Sequence, residues 1–332
     1  MIRKFAALGA GLCLAFGMLA GPAQAQQRIT IGTNPQGSAY YTIGGGIARA
    51  ISEELGRQAI AQPYAGSSVY LPLVANREVT MGLSSSLDAG RAYRGDDGRA
   101  LPQLRALARI WPLQYAYMVR GDSGIRDIQD LKGKRVVVDM RANAALGAAN
   151  KAMLAAGGLT DADVEVVTVG GLPQGVEGLT EGRLDATAIA VGIPLTLQAN
   201  ASIPGGIRYV NLTGEHATDA VLGQHAPGLY TLRVEPAENR PGVPEPITIS
   251  GFDVFLVIGD DMSDADVAAI LGVLHDRFEQ LREDYPALRS ASAAELGAAT
   301  NTLPYHPAAI RFFKDKGLWS EANEAHEQQF AN

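Results

Sequence analysis

Ile29-Thr30-Ile31-Gly32-Thr33-Asn34-Pro35-Gln36-Gly37-Ser38-Ala39-Tyr40-Tyr41 is the stretch whose reading decides the fold. Arg28 to Ile31 reads as a short apolar strand, and Gly32 to Gly37 as a turn of Gly, Asn and Pro. Ser38 stands where it can cap a helix running to about Leu55. A strand that feeds a helix N-terminus through such a turn makes a place for an anion. The first backbone N–H groups have no helical partner, and the helix dipole points its positive end at the gap. Any α/β domain can begin this way, so shape alone leaves a ligand role and a plain structural role both open. Two sharper readings fail. Gly32 and Gly37 have phosphate-loop spacing, but Ser38-Ala39 stands where Lys-Ser/Thr is required. The dinucleotide pattern G-x-G-x-x-G is absent, because Asn34 occupies the second glycine position. A nucleotide is therefore not the expected ligand.

Upstream, residues 1–25 read as an export signal. Arg3 and Lys4 precede an apolar run from Phe5 to Ala20, and Ala23-Gln24-Ala25 is a small-x-small processing site. Cys13, the single cysteine, lies inside this segment, and Leu12 before it argues against a lipid anchor. Removing 25 of the 332 residues leaves 307, enough for one or two domains. Neither disulfide nor thiol chemistry is then expected. Without Arg3 and Lys4 the formal charge of −7 becomes −9. An acidic chain with scattered charge is not a nucleic-acid binder by default. No later run approaches the ~20 apolar residues of a membrane helix. The expected location is the periplasm, as a monomer.

Downstream, strands and helices alternate. Ala59 to Tyr64 is a strand candidate. Ala65-Gly66-Ser67-Ser68 is a turn and cap, and a helix then reaches about Asn76. Val79 to Leu83 is a third strand, followed by Ser84-Ser85-Ser86 and a helix from Asp88 to Tyr93. Leu104 to Trp111 and Gln114 to Val119 read as two more strands. This rhythm predicts a parallel sheet covered by helices, with ligands outside the carboxyl ends of the strands. Thr33-Asn34, Ser67-Ser68 and Ser84 to Ser86 all stand at such ends. Each is ordinary loop chemistry alone; their recurrence at equivalent positions points to a site.

From about Gly121 the pattern repeats. Ile125 to Lys134 reads as a short helix, and Arg135 to Asp139, Val164 to Val169 and Asp185 to Ala190 as strands. A helix is expected from Gly175 to Gly182, and Val191-Gly192-Ile193-Pro194 closes the last strand. Two such lobes suggest a cleft between them. Arg141, at a strand end opening a helix, can offer a bidentate fork to a carboxylate, or be a solvated surface arginine. Trp111 and Tyr40 are candidates that could equally be core. Residues 211–250, punctuated by Pro236, Pro241, Pro244 and Pro246, read as a loop crossing back to the first lobe. Phe252 to Ile258 is a strand. Asp264 to Arg282 is an amphipathic helix with Val267, Ile270, Leu271, Leu274, Phe278 and Leu281 on one stripe. His216, His225, His275, His306 and His326 show no metal spacing, and no Gly-x-Ser-x-Gly elbow occurs. Neither a catalytic residue, a metal nor a cofactor is expected.

Four stretches resemble the TAXI family of TRAP-transporter solute receptors. They are Gly32-Thr33 with Gly37 to Gly45, Ala65-Gly66-Ser67, Gly124 to Lys134 with its following strand, and Leu303-Pro304-Tyr305-His306-Pro307 through Gly317-Leu318. Glu181-Gly182 to Ala186, followed by Gly192-Ile193-Pro194, is similar to the second-lobe pattern. The resemblance implies a type II periplasmic binding protein of two α/β lobes, each a mixed, mostly parallel sheet flanked by helices. The lobes would be 26–119 plus 250–332 and 120–249, with the ligand cleft between them. It implies a small carboxylate ligand, such as a C4–C5 dicarboxylate, a 2-oxo acid or an acidic amino acid. The ligand would pass to a TRAP-type membrane subunit driven by an ion gradient. Carried over by motif, ligand contacts fall on Thr33, Asn34, Gly37, Ser38, Tyr40, Ser67 and the stretch Arg141 to Ala144, which includes Asn143. Ser68, Ser84, Ser85, Trp111 and Val191 complete the candidate set. The chain departs from the family at Asp139 to Asn143, where a Gly/Ser-rich turn is usual, and at Val69, where Asn is frequent. Arg141 there resembles the carboxylate clamp of the other main TRAP receptor branch. The competing readings are an ABC-importer binding protein for a sulfonate, nitrate or thiamine precursor, and a sensory binding protein without transport.

Overall fold

The computed structural model describes residues 28–331 apart from 97; the expected export signal lies outside the described residues. The unit of apolar strand, polar turn and capped helix recurs along the chain. β1 (Ile29–Thr33), α1 (Ala39–Leu55), β2 (Ala59–Pro63), α2 (Ser67–Ala75), β3 (Met81–Ser85) and α3 (Ser86–Arg94) lead to the long strand β4 (Leu104–Arg120). β5 (Arg135–Met140), α4 (Ala144–Ala156), β6 (Glu165–Val169), α5 (Leu172–Thr180), β7 (Ala186–Ala190) and α6 (Pro194–Ser202) follow. Then come β8 (Ile207–Tyr209), α7 (Asp219–His225), β9 (Tyr230–Val234) and a second long strand, β10 (Ile247–Gly259). α8 (Asp264–Asp284), α9 (Pro307–Asp315) and α10 (Glu321–Glu327) complete the chain.

Side-chain caps fix the starts of α1, α3 and α8, whereas α2, α4, α5 and α6 begin without one. Ser38 Oγ accepts from Tyr41 N–H at 3.2 Å, Ser85 Oγ from Asp88 N–H at 2.9 Å, and Ser263 Oγ from Asp266 N–H at 3.1 Å. The expected stripe of α8 is buried throughout. Each such side chain contributes about 1.5–3 kcal/mol by leaving water.

The strands form one sheet in the order β2-β1-β3-β10-β4-β7-β5-β6, with β8 on β4 and β9 on β10. β2-β1-β3 is parallel, and so is β7-β5-β6. β4 and β10 run antiparallel to each other through the middle. Their outer partners change along their length. β10 pairs with β3 over Val254–Ile258 and with β9 over Ile247–Gly251. β4 pairs with β7 over Tyr115–Val119, and its earlier edge is covered by the C-terminal segment, where Ala106 N–H donates to Pro304 O and His306 N–H to Ala106 O, both at 2.9 Å. The sheet thus has two halves joined by two strands. The described chain is α/β, with a central sheet flanked by helices. No helix among the described residues is long and apolar enough to cross a membrane.

Three local expectations change. Leu104 to Trp111 and Gln114 to Val119 are one strand. Pro112 does not break it, because β7 begins pairing only at Tyr115, so the missing N–H falls where a partner is absent on that edge. The 211–250 segment holds α7 and β9 rather than loop alone. The helix expected over 125–134 is a single 3₁₀ turn, Ile128–Leu131.

Candidate ligand cleft

Where β4 and β10 change partners, Leu113, Tyr115 and Phe252 wall a chamber with about 390 Å³ of atom-free space, part of it open to solvent. Only about 30 Å³ of it is open to the centre of a water molecule, room for one or two waters in this closed arrangement. The turns after β1 and β5 bring Asn34, Ser38, Tyr40 and Asn143 to it. α3 adds Asp88, and the starts of α5 and α6 add Leu172 and Ile193. These are carboxyl ends of strands from both halves of the sheet.

Asn143 ties the halves together. It is 1% exposed, and its Nδ2 donates to Ser67 Oγ at 3.1 Å and to Asn34 Oδ1 at 3.4 Å. Around it Ser68 N–H donates to Ala142 O at 3.3 Å, and Ala144 N–H to Ser68 Oγ at 3.3 Å. Leu195 N–H donates to Gly37 O at 3.2 Å. The two faces come closest at Gly66, where an added Cβ would stand 2.0 Å from Ala142 O. Glycine is required there by this approach, not by its backbone angles.

Among the described residues, none lining the chamber is Lys, Arg or His. The N-termini of α1 and α4, from opposite halves, and the starts of α5 and α6 beside them turn positive dipole ends toward it, opposed by the Asp88 carboxylate in the same lining. Burial, then the Asp88 carboxylate, push the Tyr40 hydroxyl far above its ordinary value, so it stays neutral beside Ser85. Its ring meets Trp111 edge-on, 5.6 Å between centroids. Asp88 is itself buried and accepts from Ser85 Oγ–H at 2.7 Å. Such a site can hold an anion through backbone N–H and amide donors.

Of the residues singled out in the sequence, Asn34, Ser38, Tyr40 and Asn143 line the chamber. Ser67 stands one hydrogen bond behind Asn143, and Ser85 one behind the lining residue Asp88; Ser68, Ala144 and Gly37 make contacts between the two halves outside the lining. Thr33 Oγ1 instead closes its own turn, donating to Asn34 O at 3.1 Å and Gln62 O at 3.3 Å. Ser84 Oγ donates to Ser85 O at 3.3 Å. Trp111 and Val191 line a second cavity alongside. Arg141 is exposed and outside the chamber lining; its backbone N–H donates to Val169 O. Sequence reasoning missed Asp88, Leu113, Tyr115, Leu172, Ile193 and Phe252. Asp88, Leu172 and Ile193 carried a signal, since each follows a strand end as Asn34 does. Tyr115 and Phe252 carried none, since they read as strand core.

Solved structures share the fold. MatC (Rpa3494) from Rhodopseudomonas palustris, with bound malate, is 13% identical with a TM-score of 0.57, over 91% of this chain and 98% of that one. PhnD1 from Prochlorococcus marinus (MIT 9301), in complex with methylphosphonate, is 9% identical with a TM-score of 0.54, over 88% and 98%. A structure described as a periplasmic transporter is 13% identical with a TM-score of 0.55, over 92% and 98%. The architecture is that of the two-lobed periplasmic binding proteins. The model of the NMT1-like family matches residues 31–317, and the chain belongs to that family.

Proposed function

We propose that this chain is a periplasmic solute receptor of the TAXI type. It captures a small carboxylate between its lobes and, once closed, presents it to a TRAP-type membrane transporter. It binds and releases its ligand without transforming it. The observation that carries the reading is Asn143, whose amide reaches Asn34 and Ser67 across the cleft at the mouth of a chamber flanked by helix N-termini. A ligand there touches both lobes only when they are together, so its differential affinity shifts the population toward the closed form. The lobes are about 26–112 plus 253–332 and 113–252, a few residues from the expected bounds at 119/120 and 249/250, because Tyr115–Val119 pairs with β7 and Ile247–Gly251 with β9. We set the bending point inside β4 and β10, near Trp111–Leu113 and Phe252–Val254, because their partners change there. Asn34, Ser38, Tyr40, Ser67 and Asn143 supply the neutral hydrogen bonds.

The test is thermal unfolding of residues 26–332, unfolded and refolded to strip retained ligand. The panel is C4–C6 dicarboxylates, 2-oxo acids, acidic amino acids, methanesulfonate and methylphosphonate. A ligand at ~100 times its dissociation constant adds about 2.7 kcal/mol of stability. One carboxylate class should raise Tm by several degrees. A response confined to the sulfonate or phosphonate would refute the carboxylate reading and favour an ABC-type receptor.

A further inference from the structure

Beside the chamber lies the second cavity, with about 530 Å³ of atom-free space, part of it open to solvent. The two share a wall of Ala39, Leu113, Ala190 and Ile193. The remaining lining of the second cavity brings Arg240 and Arg289 to it and, among the described residues, no carboxylate. Both arginines are held at the backbone. Arg289 follows the turn Pro286–Leu288, and its carbonyl accepts from Arg282 Nη2–H at 3.1 Å. Arg240 sits on a loop pressed against the end of β7. A Cβ on Gly192, whose φ is +71°, would stand 2.8 Å from Asn239 O.

Several other arginines meet acids. Arg109 meets Asp253 at 2.8 Å, Arg135 meets Asp185 at 2.7 Å, and Arg277 meets Glu53 at 3.0 Å. Among the described residues Arg240 and Arg289 have no acidic partner; Arg240 Nη1 reaches only the Glu235 carbonyl, at 3.2 Å. Two arginines on the lining of one cavity, with no acidic partner among the described residues and beside the apolar Trp111 and Pro112, bring positive charge to its rim. They supply the cations that the chamber lacks.

We propose that Arg240 and Arg289 are the anion anchor of the site, holding the carboxylate of a small organic acid whose other end reaches Asn34 and Asn143 past the shared wall. This rests on the receptor reading above. It moves the charge recognition from Arg141 to two residues distant in sequence. The binding-site residues Ala39 and Ile193 would then separate the charged end of the ligand from its hydrogen-bonding end.

The test uses Arg240→Gln, Arg289→Gln, the double variant and Arg289→Lys, made in residues 26–332. Glutarate, L-malate and 2-oxoglutarate are titrated calorimetrically at 50 and 500 mM NaCl, with glutaramide as the neutral control. Wild type should bind an acid, reject glutaramide and weaken with salt. Each Gln variant should raise Kd about 10- to 100-fold, the worth of a hydrogen-bonded charge. The double variant should lose the salt dependence, and Arg289→Lys should retain part of the affinity. Because Arg289 is exposed and Arg240 partly so, unliganded Tm should hold. Gln variants that bind the acid as tightly as wild type would overturn the anchor and leave the receptor reading standing. A wild type that binds none of the acids would overturn both.

Discussion

Replacing Gly66 by Ala tests the closed arrangement directly. Gly66 has φ 172° and ψ 175°, extended backbone open to any residue, so the substitution strains nothing within its own lobe. The nearest atoms to the new Cβ are all across the cleft: Ala142 O at 2.0 Å, Asn143 Oδ1 at 2.5 Å and Ala142 C at 2.6 Å. Real Cβ contacts essentially never fall below 3.0 Å, so the faces must part there by roughly 1 Å. The bonds from Ser68 N–H to Ala142 O, Asn143 Nδ2 to Ser67 Oγ and Ala144 N–H to Ser68 Oγ span 3.1–3.3 Å, and a shift of that size breaks them. At about 0.5–1.5 kcal/mol each, the closed state loses about 2–4 kcal/mol. Kd should rise about thirtyfold to several-hundredfold. Calorimetry with the acid identified by thermal shift measures this, and small-angle scattering measures the missing compaction on ligand addition. Unliganded Tm should stay near wild type, since neither lobe loses a core contact. Wild-type affinity and full compaction in Gly66→Ala would refute the reasoning, because this closed arrangement could then not be the liganded one.

Asn143→Ala should weaken the same ligand about tenfold or more by removing both amide bonds, whereas Arg141→Ala, an exposed position, should change Kd less than about threefold; calorimetry separates the two. His306 is buried, its pKa held below the usual 6.5 chiefly by burial, and its Nδ1 accepts from Ala308 N–H at 3.2 Å to cap α9. Folding favours the neutral ring, so this contribution is complete above pH 6.5 and is lost as pH falls below 6.5 toward the lower folded value. Tm should fall between pH 7.5 and 5.5, and by less in His306→Asn, which caps without titrating. Arg109→Ala should cost about 3–5 kcal/mol in urea unfolding, because it leaves the buried Asp253 carboxylate without its 2.8 Å partner and with only the Tyr230 hydroxyl, at 3.2 Å.

Local chemistry was legible in the sequence wherever one segment decides its own structure. The cap at Ser38 and the stripe of α8 needed only neighbours within a turn or two, and both appear as read. Asn34, Ser38, Tyr40 and Asn143 were legible for the same reason, each standing where a strand feeds a helix. What failed depends on partners far along the chain. The continuity of β4 across Pro112 is supplied by β10, some 140 residues later. β9 is a strand because β10 offers it an edge. The Leu303–Pro307 motif carried a family resemblance, yet here it covers the edge of β4 and caps α9, a structural task. Arg240 lies in a segment that reads as loop, and nothing local distinguishes it or Arg289 from any surface arginine.

On the proposed function, the same division lets such a cleft bind an anion and still let it go. A guanidinium facing a carboxylate inside the chamber would need that charge neutralised in every state, at a large desolvation cost when empty. Helix N-termini and neutral amides face no such demand: α1 and α4 keep their positive ends whether or not a ligand is present, and Tyr40 remains a neutral donor. With the cations set in a neighbouring cavity that is partly open to water, their hydration is retained in the open form and exchanged for the ligand only on closure. The bonds around Asn143 then contribute to closure independently of the ligand, which reduces the population that its binding energy must shift. On the proposed anchor, affinity and release are governed by different residues: Arg240 and Arg289 by attraction, Gly66 and Asn143 by how closely the lobes can meet. Substitutions in the first pair should change the salt dependence of binding, and those in the second should change the degree of compaction, with little exchange between the two effects.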